Sequence, residues 1–350
     1  MKMTLNSFRL KQIYLIFLTT AILTSCHRSK DVDVSNIDVN VTIDRFNNDL
    51  DAMRTQNREQ VAAKMQKKYG SFYRDFMERI IQVGTVRDTA YLKTFGEVLA
   101  NKPYNDVKHE VDSIYPNLDK QTEQLTDAFK HIKYYYPKKG LPKLYAYFSG
   151  FGAQTTEGDG YLGIGLDLFL GADSKFYNAA AIREVFPKYV SRRFTPDYIT
   201  PRVVETMARE DMFPETNLDD KSMLSRMIYN GKILYYMDKI LPTTADTLKI
   251  GYTGKQLKWC EDFKSAIWGY FLEENLLYET DYDKIQKYLG EAPFTPGLGE
   301  KNESAPRLAI WTGWQIVREY MDRHPDVTLQ QLMNEHDAQK ILNESKYRPK

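Results

Sequence analysis

Residues 161–170 alternate with a period of two. Leu162, Ile164, Leu166, Leu168 and Leu170 fall on one side of an extended strand, and Tyr161, Gly163, Gly165, Asp167 and Phe169 fall on the other. A strand with one aliphatic face has to be covered by another layer, and its glycines let a second backbone approach closely. The preceding stretch, Leu141–Phe151, also reads as a strand. Glu157-Gly-Asp-Gly160 supplies turn chemistry between the two, so a hairpin is expected. Val39–Phe46 alternates as well and is expected to be a third extended segment.

Helical spacing fills most of the remainder. The expected helices cover 58–69, 71–83, 88–100, 104–114 and 118–135 before the hairpin. After it they cover 200–212, opened by Thr200-Pro201, then 222–241, stopped by Pro242, then 254–278, 281–289 and 308–323, with two short helices at the end. The fold class is α+β, predominantly helical, with a small β-sheet or hairpin and long helices.

The N-terminus dictates where such a body sits. Lys2, Arg9 and Lys11 precede the apolar run Ile13–Leu23, which ends at Leu23-Thr24-Ser25-Cys26. About 11 apolar residues are too few to span a bilayer but suit an export signal. Small residues before a cysteine match the processing site of bacterial lipoproteins, so Cys26 is the expected lipidation site. Residues 1–25 then form the signal peptide, 26–38 a flexible lipid-anchored tether, and 39–350 a single domain. Two or three acyl chains anchor stably. The expected location is the cell envelope, at the outer membrane, facing either side.

Charge narrows the partners. The chain carries a formal +1, and without its three basic signal residues the mature part stands at −2. That balance lacks the basic footprint of nucleic-acid binding, so a membrane and an envelope protein are the expected partners and nucleic acid is not. With Cys26 acylated, Cys260 has no partner for a disulfide and reads as a buried thiol. The 25 tyrosines and 17 phenylalanines suit either a wet binding surface or an aromatic core and rim.

Enzyme signatures are missing. His27, His109, His131, His324 and His336 lie apart. His109 lacks a second histidine four residues later, and Glu335-His336-Asp337 reads as a solvated helix end. There is no nucleophile elbow, and Gly163-Ile-Gly165 lacks the third glycine of a dinucleotide loop. Glu157/Asp159 and Glu205/Glu210 are pairs that arise readily among 47 acidic residues. No cofactor is expected.

The order and spacing of three pieces resemble the gliding-motility lipoprotein B (GldB) family of Bacteroidetes. They are the Cys26 processing site, Leu162-Gly-Ile-Gly-Leu-Asp-Leu-Phe-Leu-Gly171, and Met227-Ile-Tyr-Asn-Gly-Lys-Ile-Leu-Tyr-Tyr-Met-Asp-Lys-Ile-Leu-Pro242. Members are cell-envelope lipoproteins, some required for gliding. That family in turn resembles zinc peptidases with a His-Glu-x-x-His helix, which implies a zincin-like core. In that comparison Thr200–Glu210 is similar to the active-site helix. Val204 and Ala208 stand at the two histidine ligands, Glu205 at the general base and Asn230 at a third, glutamate ligand.

Val and Ala have no lone pairs to offer a metal, and Glu205 without a metal has no acidified water to deprotonate. The resemblance therefore implies a body without catalysis, with Val204, Glu205, Ala208 and Asn230 as degenerate positions. Residues 203–212 and 222–240 should then be packed helices on which Val204, Ala208 and Asn230 converge. The resemblance also places 161–170 at a peptide-binding edge, where Tyr161, Gly163, Gly165 and Asp167 could receive an extended partner. A hydrolase with an unrecognised site, and a lipoprotein binding peptides or glycans, are the alternatives.

Overall fold

A computed structural model describes residues 32–215, 220–299 and 303–350, so Cys26, the signal peptide and the start of the tether lie outside the described residues. The main body spans Val34–Lys350. Val34 is buried and closes a turn with Ile37, so packed structure begins within the stretch expected to be tether.

Four short strands form the sheet: β1 (Ile43–Arg45), β2 (Lys143–Tyr147), β3 (Thr155–Gly158) and β4 (Tyr161–Gly165). Their order is β1-β2-β4-β3, with β1–β2 and β2–β4 parallel and β3–β4 antiparallel. The expected hairpin exists with a different partner. The Asp159-Gly160 turn joins β4 to β3, whereas β2 runs parallel to β4. Gly160, at φ 72, supplies the left-handed backbone that this tight turn requires.

This order overturns the edge-strand expectation. β4 is interior, flanked by β2 and β3, so Tyr161, Gly163 and Gly165 have no open ladder side to offer. The glycines do permit close approach, but from within. A Cβ at Gly163 would strike Thr156 Oγ1 and the rings of Tyr147 and Phe72, and one at Gly165 would strike the Ala153 carbonyl. The strand also stops at Gly165. Leu166–Leu168 turn as a 3-10 helix, which aims the fully buried Asp167 back at the loop after β2.

The sheet face bearing Tyr145, Tyr147 and Tyr161 is filled with rings. Phe72 is the hub, 4.7 Å from Phe46, 4.9 Å from Tyr145 and 5.0 Å from Tyr161 between ring centres. Edge-on and tilted pairs of this kind add about 0.5–1.5 kcal/mol each beyond area burial. Much of the aromatic content is therefore core.

Helices enclose the sheet, so the body is α+β and mostly helical. α1 (Arg58–Tyr69), α2 (Ala90–Ala100), α3 (Lys102–Ile114) and α4 (Asp119–Tyr135) precede β2. α5 (Ile199–Thr206) continues as a π-helix, Met207–Met212. α6 (Met223–Ile240) starts at the Ser222 cap, and nearly every one of its residues is buried. The stretch expected as one helix from 254 is broken at Phe263 into α7 (Gly254–Asp262) and α8 (Lys264–Glu273). α9 (Tyr282–Leu289) and α10 (Leu308–Arg323) follow, and α10 packs along α6. Cys260 is buried in α7, where burial pushes its thiol up. No helix among the described residues is long and apolar enough to cross a membrane.

Candidate functional site

α5 carries the positions that matter most. Ile199, Val203, Val204, Met207 and Ala208 are fully buried, so the helix is held by an aliphatic stripe. Glu205 lies off that stripe. Its Oε2 accepts from Arg202 Nη1 at 2.8 Å and its Oε1 from Arg209 Nε at 2.9 Å. The spacings are three back and four forward along one helix, the distances at which side chains meet. Burial alone would raise the Glu205 carboxyl, but Arg202, Arg209 and Arg307 outweigh it and hold it at about 2.

The residues aligned with zinc ligands do not fit a metal. Val204 and Ala208 are apolar and fully buried. Asn230 spends its side-chain N–H on the Arg226 carbonyl of its own helix at 2.8 Å. Among the described residues, no three His, Cys, Asp or Glu side chains are grouped so as to hold a metal ion. α5 and α6 do pack on each other as expected. What faces Arg209 across that contact is the Tyr229 ring, 5.8 Å away, and the Tyr229 hydroxyl donates to the Phe213 carbonyl at 2.9 Å.

Glu205 opens onto a cavity of about 340 Å³ between α5, the loop before β3 and residues 186–198. A second ion cluster lines the same cavity. Glu291 Oε1 accepts from Arg193 Nη1 at 2.9 Å and from Arg307 Nη1 at 3.1 Å. Burial opposes the Glu291 charge, yet Arg307 and Arg193 keep its carboxyl below the ordinary range. Arg202 and Arg209 could have been found from their spacing around Glu205. Arg193 lies 98 residues from Glu291, and Arg307 lies beyond the loop that follows Glu291, so the cluster has no local signal.

Asp167, expected on the partner edge, is instead a clamp. Its Oδ2 accepts from the Ser149 backbone at 3.1 Å and the Phe151 backbone at 2.6 Å. That fixes the loop in which Gly150 and Phe151 both take positive φ. Burial pushes the Asp167 carboxyl up to about 6 despite these donors, and Oδ1 has no hydrogen-bond partner among the described residues.

The open edges of the sheet are β1 and β3. On β3, Gln154 pairs with Gly165 by a backbone bond of 2.9 Å, so alternation turns the N–H and C=O of Thr155 and Glu157 away from β4. Thr155 Oγ1 meets Thr206 Oγ1 of α5 at 2.8 Å. β3 thus lies beside α5, where the sequence reasoning had placed 161–170.

No curated protein and no solved structure significantly matches this chain. A family profile described as gliding motility protein GldB matches residues 27–349. With residues 27–349 of the 350 covered by that match, the protein belongs to the GldB family of gliding motility proteins.

Proposed function

We propose that this protein is a lipid-anchored component of a cell-envelope assembly of the gliding-motility type, whose body is a degenerate zinc-peptidase scaffold that binds rather than hydrolyses. The observation that carries the reading is the packing of Val204 and Ala208. The helix face that would have to present electron pairs to a metal is sealed into an aliphatic core. The state of Glu205 supports it further. A carboxylate doubly bonded to arginines and held at about 2 is a weak proton acceptor at neutral pH, where a general base needs a value nearer the working pH. The Cys26 processing site supports the lipid anchor, with the rest of the chain held on the membrane by acyl groups.

The partner edge in this reading is β3. Its Thr155 and Glu157 backbone groups point away from β4, and an extended segment could add to them by main-chain bonds.

Two measurements test the proposal. Protein purified without a histidine tag should contain far less than one zinc per chain and cleave no peptide in a mixed library; stoichiometric zinc with cleavage sinks the non-catalytic reading. Crosslinking in native membranes should attach envelope proteins. Thr155→Pro, which removes an outward donor from β3, should lose those adducts while the protein stays folded.

A further inference from the structure

The cavity beside Glu205 carries more positive charge than its own carboxylates neutralise. Its lining carries Arg193, Arg202, Arg307 and Lys249 against Glu205 and Glu291, and Arg209, outside the lining, also pairs with Glu205. Arg193, Arg202 and Arg307 each give one N–H to a glutamate, of the five that a guanidinium carries. Arg307 Nε is buried and meets no acceptor among the described residues. The N–H groups that Arg193, Arg202 and Arg307 leave over at the cavity, rather than that enclosed Nε, are what an anionic occupant would meet. Arg307 also sits at φ 52, a backbone region where a non-glycine side chain persists only if its surroundings hold it.

The other wall is apolar, built from Phe186, Val190, Phe194 and Leu248. A bare inorganic anion would leave that wall unused, and a neutral apolar ligand would leave the guanidiniums unanswered. Arginine's planar fork matches a carboxylate in two-point geometry. We infer that this cavity binds a carboxylate carrying an apolar group, with the acid on the arginines and the apolar part against the phenylalanines. Its volume sits at the small end of ligand sites, room for a compact acid or the last residue of a polypeptide. Gln154, the residue before β3, lines the same cavity, so a chain lying along β3 could bring its end there. The inference goes beyond the non-catalytic reading and does not depend on it, because it needs neither metal nor hydrolysis and survives either outcome of the zinc measurement.

The test is calorimetric titration of the full-length protein in detergent. The probes are N-acetyl-leucine, N-acetyl-leucinamide, sodium phosphate, and a hexapeptide ending in Phe-Leu with a free or an amidated C-terminus. The acids should bind at least about tenfold more tightly than the matching amides, as expected for losing a charge-assisted pair. Arg307→Gln and Arg202→Gln should each weaken acid binding by about tenfold for the same reason. Arg202 is 44% exposed, so its replacement leaves the core intact and decides the question if Arg307→Gln does not fold. A hexapeptide acid binding about tenfold better than N-acetyl-leucine assigns the site to a chain end, and equal affinity assigns it to a small free acid. Equal binding of acid and amide, no binding by either acid, phosphate matching N-acetyl-leucine, or wild-type affinity in folded variants overturns the inference.

Discussion

Gly231 and Gly313 meet face to face where α6 crosses α10. A Cβ on Gly231 would fall on the Gly313 carbonyl, and a Cβ on Gly313 would fall on the carbonyl of Met227. Two backbones, rather than side chains, are therefore in contact at the centre of the body. Backbone cannot rotate away, so a single methyl has to push the helices apart. Gly313→Ala is expected to cost about 1–3 kcal/mol or more, the range for overpacking a filled core. Gly269, in α8, has nothing within 4 Å of its would-be Cβ. Gly269→Ala should instead stabilise by about 0.5–1 kcal/mol through helix propensity and a less entropic unfolded chain. Urea unfolding of the two variants should move in opposite directions from wild type. Movement in the same direction would mean that the crossing is looser than described.

Asp238 is the hub that ties α6 to α10 by charge. It accepts from Arg318 Nε at 2.8 Å, Trp314 Nε1 at 2.9 Å and Lys249 Nζ at 2.8 Å, and Arg318 also reaches Asp246 at 2.9 Å. The Arg318 guanidinium lies 3.7 Å from the Trp314 ring centre. The Lys249 side chain is only 4% exposed, so removing Asp238 leaves a buried cation with only the longer 3.6 Å contact to Asp246. Asp238→Ala is expected to destabilise by roughly 3 kcal/mol or more, as when one partner of a buried pair is deleted. The double variant Asp238→Ala/Lys249→Met should recover part of that loss. No recovery in a double-mutant cycle would show that Lys249 is already solvated.

Local pattern explains why some of this was readable and some was not. α1 and α10 start and stop where the sequence reading put them, because apolar spacing is local and runs for several turns. β3 was missed because Thr155-Thr-Glu-Gly158 is too short and too polar to alternate visibly. The aliphatic alternation of β4 continues to Leu170, yet the strand ends five residues earlier. Asp167 must bend back to the Ser149 and Phe151 amides, a contact between segments that no periodicity encodes. The edge expectation failed for a related reason. Glycines on a strand announce a close neighbour without saying whether it is a partner or the protein's own Tyr147 and Phe72. At the site, the emptiness of Val204 and Ala208 was legible from residue type alone, whereas the Arg193–Glu291–Arg307 cluster exists only once the chain is folded.

Placing histidines at the two positions that the zinc-peptidase resemblance aligns with ligands tests the packing reading from the other side. Val204 and Ala208 are fully buried, and they straddle the point where α5 gives way to the π-helix at Met207, so the regular four-residue stacking of a ligand pair is interrupted. Val204→His/Ala208→His should place two imidazoles in an apolar core, lower stability by several kcal/mol, and retain no stoichiometric zinc. Zinc bound one to one, with stability restored by the metal, would show that these two positions can hold a metal once they carry donors.

Two carboxyls give the protein opposite responses to acid. Asp167 is raised to about 6 by burial from an ordinary 3.8, so the folded protein holds its proton more tightly than the unfolded chain. Its contribution therefore favours the fold below about 4 and is lost as pH rises through 6, an effect of about 3 kcal/mol at most. Oδ2 keeps the Ser149 and Phe151 donors, so the proton falls on Oδ1, which meets no other hydrogen-bonding group among the described residues. Glu205 is lowered from 4.5 to about 2, with burial outweighed by its arginines. Its contribution is present above about 4.5 and lost as pH falls toward 2, again about 3 kcal/mol at most. Asp167→Asn, uncharged at every pH, should gain on wild type as pH rises from 4 to 7. Glu205→Gln should lose most above pH 5 and converge on wild type in acid. Denaturation midpoints from pH 3 to 7 separate the two, and parallel curves for Asp167→Asn and wild type would mean that Asp167 is not protonated by the fold.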